Sequence, residues 1–265
     1  MKTILITGST DGIGKLTALQ LAKDGHHILI HGRHPKKVAD TISAIKDQTS
    51  NENISGLLCD LSNFGSINTM ISDLSTSISK IDVLINNAGV FKSATLANSD
   101  GLDLRFVVNY FAPYLLTNGL LQLLKEGTAP RVINLSSAAQ SPVAFGVLAG
   151  QKQVSNQEAY AQSKLALTMW SFDFAKRYSN ITTIAVNPGS LLNTKMVQEA
   201  YGQHWSSADK GARILYELAL AERFSNHSGD YFDNDLGNFN KAHKDAYNDE
   251  KVTQLLSATK KILPA

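Results

Sequence analysis

Apolar positions along this chain follow two rhythms in turn: short continuous runs, and longer stretches in which they recur three and four residues apart. Residues 4–6 form the first run, bounded by a glycine turn, and read as a short buried strand. Leu16, Leu19 and Leu21-Ala22 then recur at helical spacing, and Asp24-Gly25 closes that helix with a glycine in the expected C-terminal position. The same patterns predict strands over 26–31, 54–58, 82–86, 131–137 and 181–186, and a weaker last strand with its turn over 229–239. Helical spacing covers 38 to about 47, 100 to about 124, and 159–178. This alternation predicts an α/β fold in which a doubly wound parallel sheet carries helices on both faces, with residues 1–265 as a single domain. No internal repeat, low-complexity tract or linker breaks the pattern.

The turn after the first strand reads Thr7-Gly8-Ser9-Thr10-Asp11-Gly12-Ile13-Gly14. Gly8 permits a sharp exit from the strand, since it has no Cβ to forbid positive φ. Gly12 lets the backbone approach a pyrophosphate, and Gly14 allows the helix to pack closely on the sheet. The helix start offers unpaired N–H groups and a positive dipole end to phosphates. The spacing Gly-x-x-x-Gly-x-Gly is neither Gly-x-Gly-x-x-Gly nor a P-loop. It resembles the cofactor motif of the short-chain dehydrogenases/reductases. The pattern is nearest to their NADP-dependent retinol dehydrogenase-like and carbonyl reductase-like members. The resemblance implies a Rossmann-type sheet and places Gly8, Ser9, Thr10, Asp11, Gly12, Ile13 and Gly14 at the cofactor.

Further motifs fall at successive strand ends, where ligands bind in open α/β sheets. The strand over 26–31 ends in Gly32-Arg33 with Lys36 and Lys37 nearby and no acidic residue. An acid there would bond a ribose 2′-hydroxyl, whereas an arginine accommodates a 2′-phosphate, so NADP(H) is preferred and NAD(H) stays open. In the family, an Asp-Leu pair such as Asp60-Leu61 sits at the adenine; Ser62 also reads as an N-cap for the next helix. Asn86-Asn87-Ala88-Gly89 resembles the second family motif and adds Asn87, Ala88 and Gly89 to the cofactor set. Pro113 should bend the long helix over 100–124, and the resemblance puts Asn109 at that bend, holding a proton-relay water. Ser136-Ser137 ends the fifth strand, and Tyr160 and Lys164 lie four apart on one helix face, about 5–6 Å between Cβ atoms. Matched to the family, Ser137 is catalytic and Ser136 structural, Tyr160 is the general acid/base, and Lys164 also bonds the nicotinamide ribose. In the family, the segment matched by Asn187-Pro188-Gly189 passes the nicotinamide carboxamide, and the threonine matched by Thr194 bonds that amide or a phosphate. Residues 190–206 are expected to form a mobile lid over the substrate.

Composition changes this picture little. The chain carries 25 Lys and Arg against 23 Asp and Glu, a net charge of +2 that gives no reason to expect nucleic acid. The single cysteine, Cys59, excludes an internal disulfide and agrees with a reducing compartment. No apolar run reaches membrane-span length and no signal peptide is read, so a cytoplasmic protein is expected. Four histidines lie between 26 and 34, but no Cys, Asp or Glu joins them at ligand spacing, and no metal is expected.

The implied activity is hydride transfer between NADP(H) and an alcohol, aldehyde or ketone. The competing reading is a cofactor-binding sensor or interaction protein that kept the fold without the chemistry. An apolar pocket is suggested by Val143, Phe145, Val147, Leu148, Met196, Tyr201 and Trp205. Steroid, retinoid-like, aliphatic and aromatic substrates all stay open. Homodimers and homotetramers are the family's common assemblies.

Overall fold

In the computed structural model, residues 1–203 and 205–263 are described; the side chains of Ala200 and Tyr201 are not. Seven strands run parallel: β1 (Thr3–Ile6), β2 (His27–Gly32), β3 (Ile54–Leu58), β4 (Val83–Asn86), β5 (Arg131–Leu135), β6 (Thr182–Asn187) and β7 (Tyr231–Asp233). An eighth, β8 (Asn238–Asn240), returns antiparallel beside β7, giving the order β3-β2-β1-β4-β5-β6-β7-β8. The order reverses between β1 and β4, and the crevice beyond the carboxyl ends opens at that reversal.

Successive strand side chains point to opposite faces, and both faces here are covered, which is why the strands read as continuous apolar runs. Leu5, Leu29, Leu84 and Val132 pack on one side, under α3 (Phe64–Ser77) and other helices of that face. Ile4, Ile6, Ile28, Ile30, Val83 and Ile85 pack on the other, under α1 (Gly12–Lys23) and α2 (Pro35–Thr49). Each fully buried Leu or Ile contributes roughly 1.5–3 kcal/mol. Asn63, not the expected Ser62, caps α3 by accepting the Ser66 N–H at 2.9 Å. The Ser62 hydroxyl instead donates to Asp60 at 2.7 Å.

The long helix expected over 100–124 is broken into pieces. Asp103 caps a first turn, α4 (Leu104–Phe106), and a π-helical segment follows over Val107–Phe111. The chain continues as α5 (Ala112–Gly119) and, after a bend at Leu120, as α6 (Leu121–Lys125). Pro113 has no N–H to offer the Asn109 carbonyl four residues earlier, and the regular helical ladder gives way to the π-helical segment at that point. The region after β5 contains a short helix, α7 (Phe145–Leu148), before the 22-residue α8 (Asn156–Arg177). The expected lid is not a bare loop, since α9 (Lys195–Tyr201) lies within it. The first sheet face is completed by α8 and the C-terminal α11 (Asp249–Ile262), the second by α10 (Ala208–Leu220). No helix among the described residues is long and apolar enough to cross a membrane.

Candidate active site

The glycine turn is built to leave its floor bare. Gly8 and Gly12 adopt φ of 64° and 54°, where a side chain would be strained. A Cβ on Gly14 would lie 2.4 Å from Asn87 Nδ2 and 2.7 Å from the Gly8 carbonyl. Asn87 Nδ2 donates to the carbonyls of Thr7 (2.8 Å) and Gly8 (3.1 Å), while the Asn87 and Ala88 N–H groups both donate to Thr7 Oγ1 at 3.0 Å. The two sequence motifs are therefore one stitched unit. Asp11 caps α1 by accepting the Gly12 N–H at 2.8 Å. Ser9 is not on the cleft wall: fully buried, its Oγ donates to the Ile6 carbonyl and accepts the His31 N–H. His31 Nδ1 accepts the Gly8 N–H at 3.0 Å, and burial pushes the ring's pKa down to about 4, so it stays a neutral acceptor.

A cleft of about 850 Å³ runs from this turn across the strand ends. Its walls include every residue expected at the cofactor except Ser9 and Gly189. At one end stand Arg33, His34 and Lys37 with Asp60 and Leu61. At the other stand Gly89, Tyr160 and Lys164, with Met196 above them. A Cβ on Gly89 would lie 3.4 Å from Asn109 Oδ1, 3.4 Å from Met196 Cε and 3.7 Å from Lys164 Nζ. Three separate segments thus converge on one bare backbone position.

Tyr160 and Lys164 face the cleft together, with Lys164 Nζ 5.5 Å from the Tyr160 ring centre. Lys164 is buried; its ammonium donates to the Leu135 carbonyl at 2.6 Å, and burial lowers its pKa to about 7. The Phe91 ring packs 4.9 Å from that of Tyr160. Ser136 lines the cleft, but its hydroxyl is taken up by the fold, 2.6 Å from Thr168 Oγ1 and donating to the Lys164 carbonyl. Ser137 is not among the residues that line the cleft, and its Oγ accepts the Ala139 N–H at 3.1 Å. Asn109 is also off the wall. Its amide accepts the Val90 N–H (2.7 Å) and donates to the Val90 carbonyl and Ser163 Oγ, both at 3.0 Å, so it clamps the segment after Gly89.

Thr194 caps α9 and faces the glycine turn, its Cγ2 3.7 Å from where a Cβ on Gly12 would sit. The start of the expected lid is fastened from the β7–β8 turn: Asn187 Nδ2 donates to Asp233 and Asp235, and the Ser190 N–H to Asp235. On the far side, Lys92 donates to the Glu199 carbonyl at 2.9 Å, spanning the cleft mouth. The expected apolar pocket needs correction. Val147 and Leu148 are core residues, 1 % and 0 % exposed, because α7 turns them inward. Trp205 is largely exposed, Val143, Phe145 and Trp205 are off the cleft wall, Met196 is on it, and the Tyr201 side chain lies outside the described residues. Among the described residues no cluster of His, Cys, Asp and Glu is arranged to hold a metal ion.

Residues 2–205 match the family model described as short chain dehydrogenase. The chain belongs to the short-chain dehydrogenase family. This short-chain dehydrogenase is 33% identical over 277 residues to retinol dehydrogenase 13 of Homo sapiens, covering 97% of this chain and 82% of that one. Its fold is similar to that of an uncharacterised protein from Mycobacterium paratuberculosis, with a TM-score of 0.80 and 22% identity over 99% of this chain and 93% of the other. The RhlG/NADP active-site complex of Pseudomonas aeruginosa superposes with a TM-score of 0.71 and 22% identity, covering 88% and 94%. The family is one of oxidoreductases, and the eight-stranded, mostly parallel sheet of this dehydrogenase is its Rossmann-type fold. Sequence reasoning passed over Phe91 and Lys92 and weighed His31 only as a metal ligand. The one available signal was local, namely the position of His31 at the end of the second strand.

Proposed function

We propose that this chain is an NADP(H)-preferring alcohol/carbonyl oxidoreductase in which Tyr160 is the general acid/base. The observation that carries the reading is the pairing of Tyr160 with Lys164 on the cleft wall, Lys164 reaching the bare backbone of Gly89, in a cleft that Arg33, His34 and Lys37 also line. The cradle fits a dinucleotide: side chains at Gly8 and Gly14 would strike Ala88 and Asn87, and the start of α1 presents N–H groups to a pyrophosphate. Arg33 and Lys37 suit a ribose 2′-phosphate, with no acid on that strand end to bond a 2′-hydroxyl. The RhlG complex with NADP supports the same cofactor choice.

Bound NADPH would supply the hydride. Tyr160 donates a proton to the substrate oxygen in reduction and withdraws it in oxidation. An ordinary tyrosine, with a pKa of about 10, is a poor base near neutral pH. Lys164 in its charged form favours the phenolate across a low-dielectric gap, and its pKa of about 7 sets the pH at which that help begins to fade in the cofactor-free site. Ser137 donates to the same oxygen as negative charge develops. The Asn109 side chain is committed to Val90 and Ser163, so its main-chain carbonyl is the acceptor we assign to the relay water. The retinol dehydrogenase relative favours an apolar alcohol or aldehyde as substrate. The test is oxidation of NADPH against NADH by purified protein with a panel of aldehydes and ketones, including apolar long-chain ones. Turnover preferring NADPH is expected; tight cofactor binding without turnover on any carbonyl would favour the sensor reading instead.

A further inference from the structure

Two side-chain donors converge on the Ser137 carbonyl: the Tyr231 hydroxyl at 3.0 Å and Gln140 Nε2 at 2.9 Å. Tyr231 lies 94 residues downstream on β7, and its ring is buried in the same core cluster as Trp170 and Leu165 of α8. A phenylalanine would fill that core equally well. The hydroxyl instead crosses to the turn that carries Ser137. Burial pushes the Tyr231 pKa up, so the group remains a protonated donor at every working pH. Gln140 is itself held, its Oε1 accepting the His243 N–H at 3.4 Å from the C-terminal segment.

The Ser137 side chain is constrained from the opposite direction. Its Oγ accepts the Ala139 N–H, which occupies an acceptor lone pair and leaves the hydroxyl proton to donate. The preceding residue cannot swing, because Ser136 is tied to Thr168 and Lys164. Main-chain carbonyl and side-chain oxygen are thus both fixed, and the hydroxyl proton is confined to the positions that the Ala139 bond leaves open. Misplacement of such a donor by a fraction of an ångström weakens it in the transition state far more than it weakens the fold.

We propose that Tyr231 is a positioning residue for Ser137: its hydroxyl, donated to the Ser137 carbonyl, holds the serine in the orientation that presents its proton to the substrate oxygen beside Tyr160. The role rests on the assignment of Ser137 given under Proposed function. The experiment is a double-mutant cycle of Tyr231→Phe and Ser137→Ala, measuring kcat, KM for the carbonyl that wild type reduces fastest, NADPH affinity and thermal midpoint. Tyr231→Phe should lower kcat about tenfold with NADPH affinity and midpoint unchanged, and should cause no further loss once Ser137 is alanine. Gln140→Ala, on the more accessible donor to the same carbonyl, should repeat the pattern at smaller amplitude and decides the matter if Tyr231→Phe does not fold. Unchanged kcat in Tyr231→Phe, or an equal loss with and without Ser137, would overturn the proposal while leaving the reductase reading intact. A wild type that turns over no carbonyl would overturn both, and would do so before any variant is compared.

Discussion

Replacing Lys164 with methionine should stabilise the cofactor-free protein at neutral pH while abolishing its proposed activity. The lysine is 4 % exposed, and burial lowers its pKa from 10.5 to about 7. At about 1.4 kcal/mol per pH unit, that burial costs at most about 5 kcal/mol at pH 7 and below. Methionine removes the cost but strips the Leu135 carbonyl of its 2.6 Å bond, a loss of about 1–3 kcal/mol. The net gain is therefore about 2–4 kcal/mol near pH 6.5. The unfolded chain keeps the lysine proton up to about pH 10.5, whereas the folded chain releases it near 7. Wild-type stability consequently climbs with pH through that window, and the advantage of Lys164→Met shrinks by about 1.4 kcal/mol per unit, crossing zero near pH ~9. Urea unfolding followed by tryptophan fluorescence at about pH 6.5, 8 and 10 measures the difference directly. A difference that does not change with pH, or a methionine variant less stable near pH 6.5, would refute the reasoning.

Arg33→Ala should weaken NADPH by about 10- to 100-fold, the loss of charge-assisted bonds to one phosphate, and NADH by much less; equal weakening in titrations of the two cofactors would remove the 2′-phosphate assignment. Gly14→Ala should destabilise the fold by about 2–4 kcal/mol, because its Cβ would lie 2.4 Å from Asn87 Nδ2. It should also lose the NADPH-induced rise in thermal midpoint, and an undiminished rise would show that the glycine turn is not part of the site.

What could be read from the sequence was whatever is fixed by short spacing. Gly8, Gly12 and Gly14 announce a bare turn, and Tyr160 and Lys164 share a helix face because they are four apart. The parallel sheet followed from apolar runs that both faces require. What escaped depends on contacts between distant segments. Tyr231 meets Ser137 across 94 residues, and Phe91 meets Tyr160 across the cleft, with nothing in either local pattern to mark it. β8 escaped for a different reason: Asn238 and Asn240 have low strand propensity, and the strand is held by Phe239 packing on Phe232 and Phe224. Val147 and Leu148 looked like pocket wall because they lie in a region expected to be irregular; a single turn of helix faces them into the core. Ser9 sits in the middle of the glycine motif, yet its side chain ties the β1–α1 turn to the end of β2 from inside.

The central claim is that the Tyr160 hydroxyl moves the proton at a site whose cofactor binding does not depend on it. The measurement that tests it most directly is the Tyr160→Phe variant, assayed for carbonyl-dependent NADPH oxidation and, in parallel, for NADPH affinity by calorimetry. Turnover should fall by about 10²–10⁴-fold, the range for loss of a positioned general acid, while NADPH affinity stays within about threefold of wild type, since only the hydroxyl is lost. Retained turnover, or NADPH binding lost together with turnover, would contradict the account.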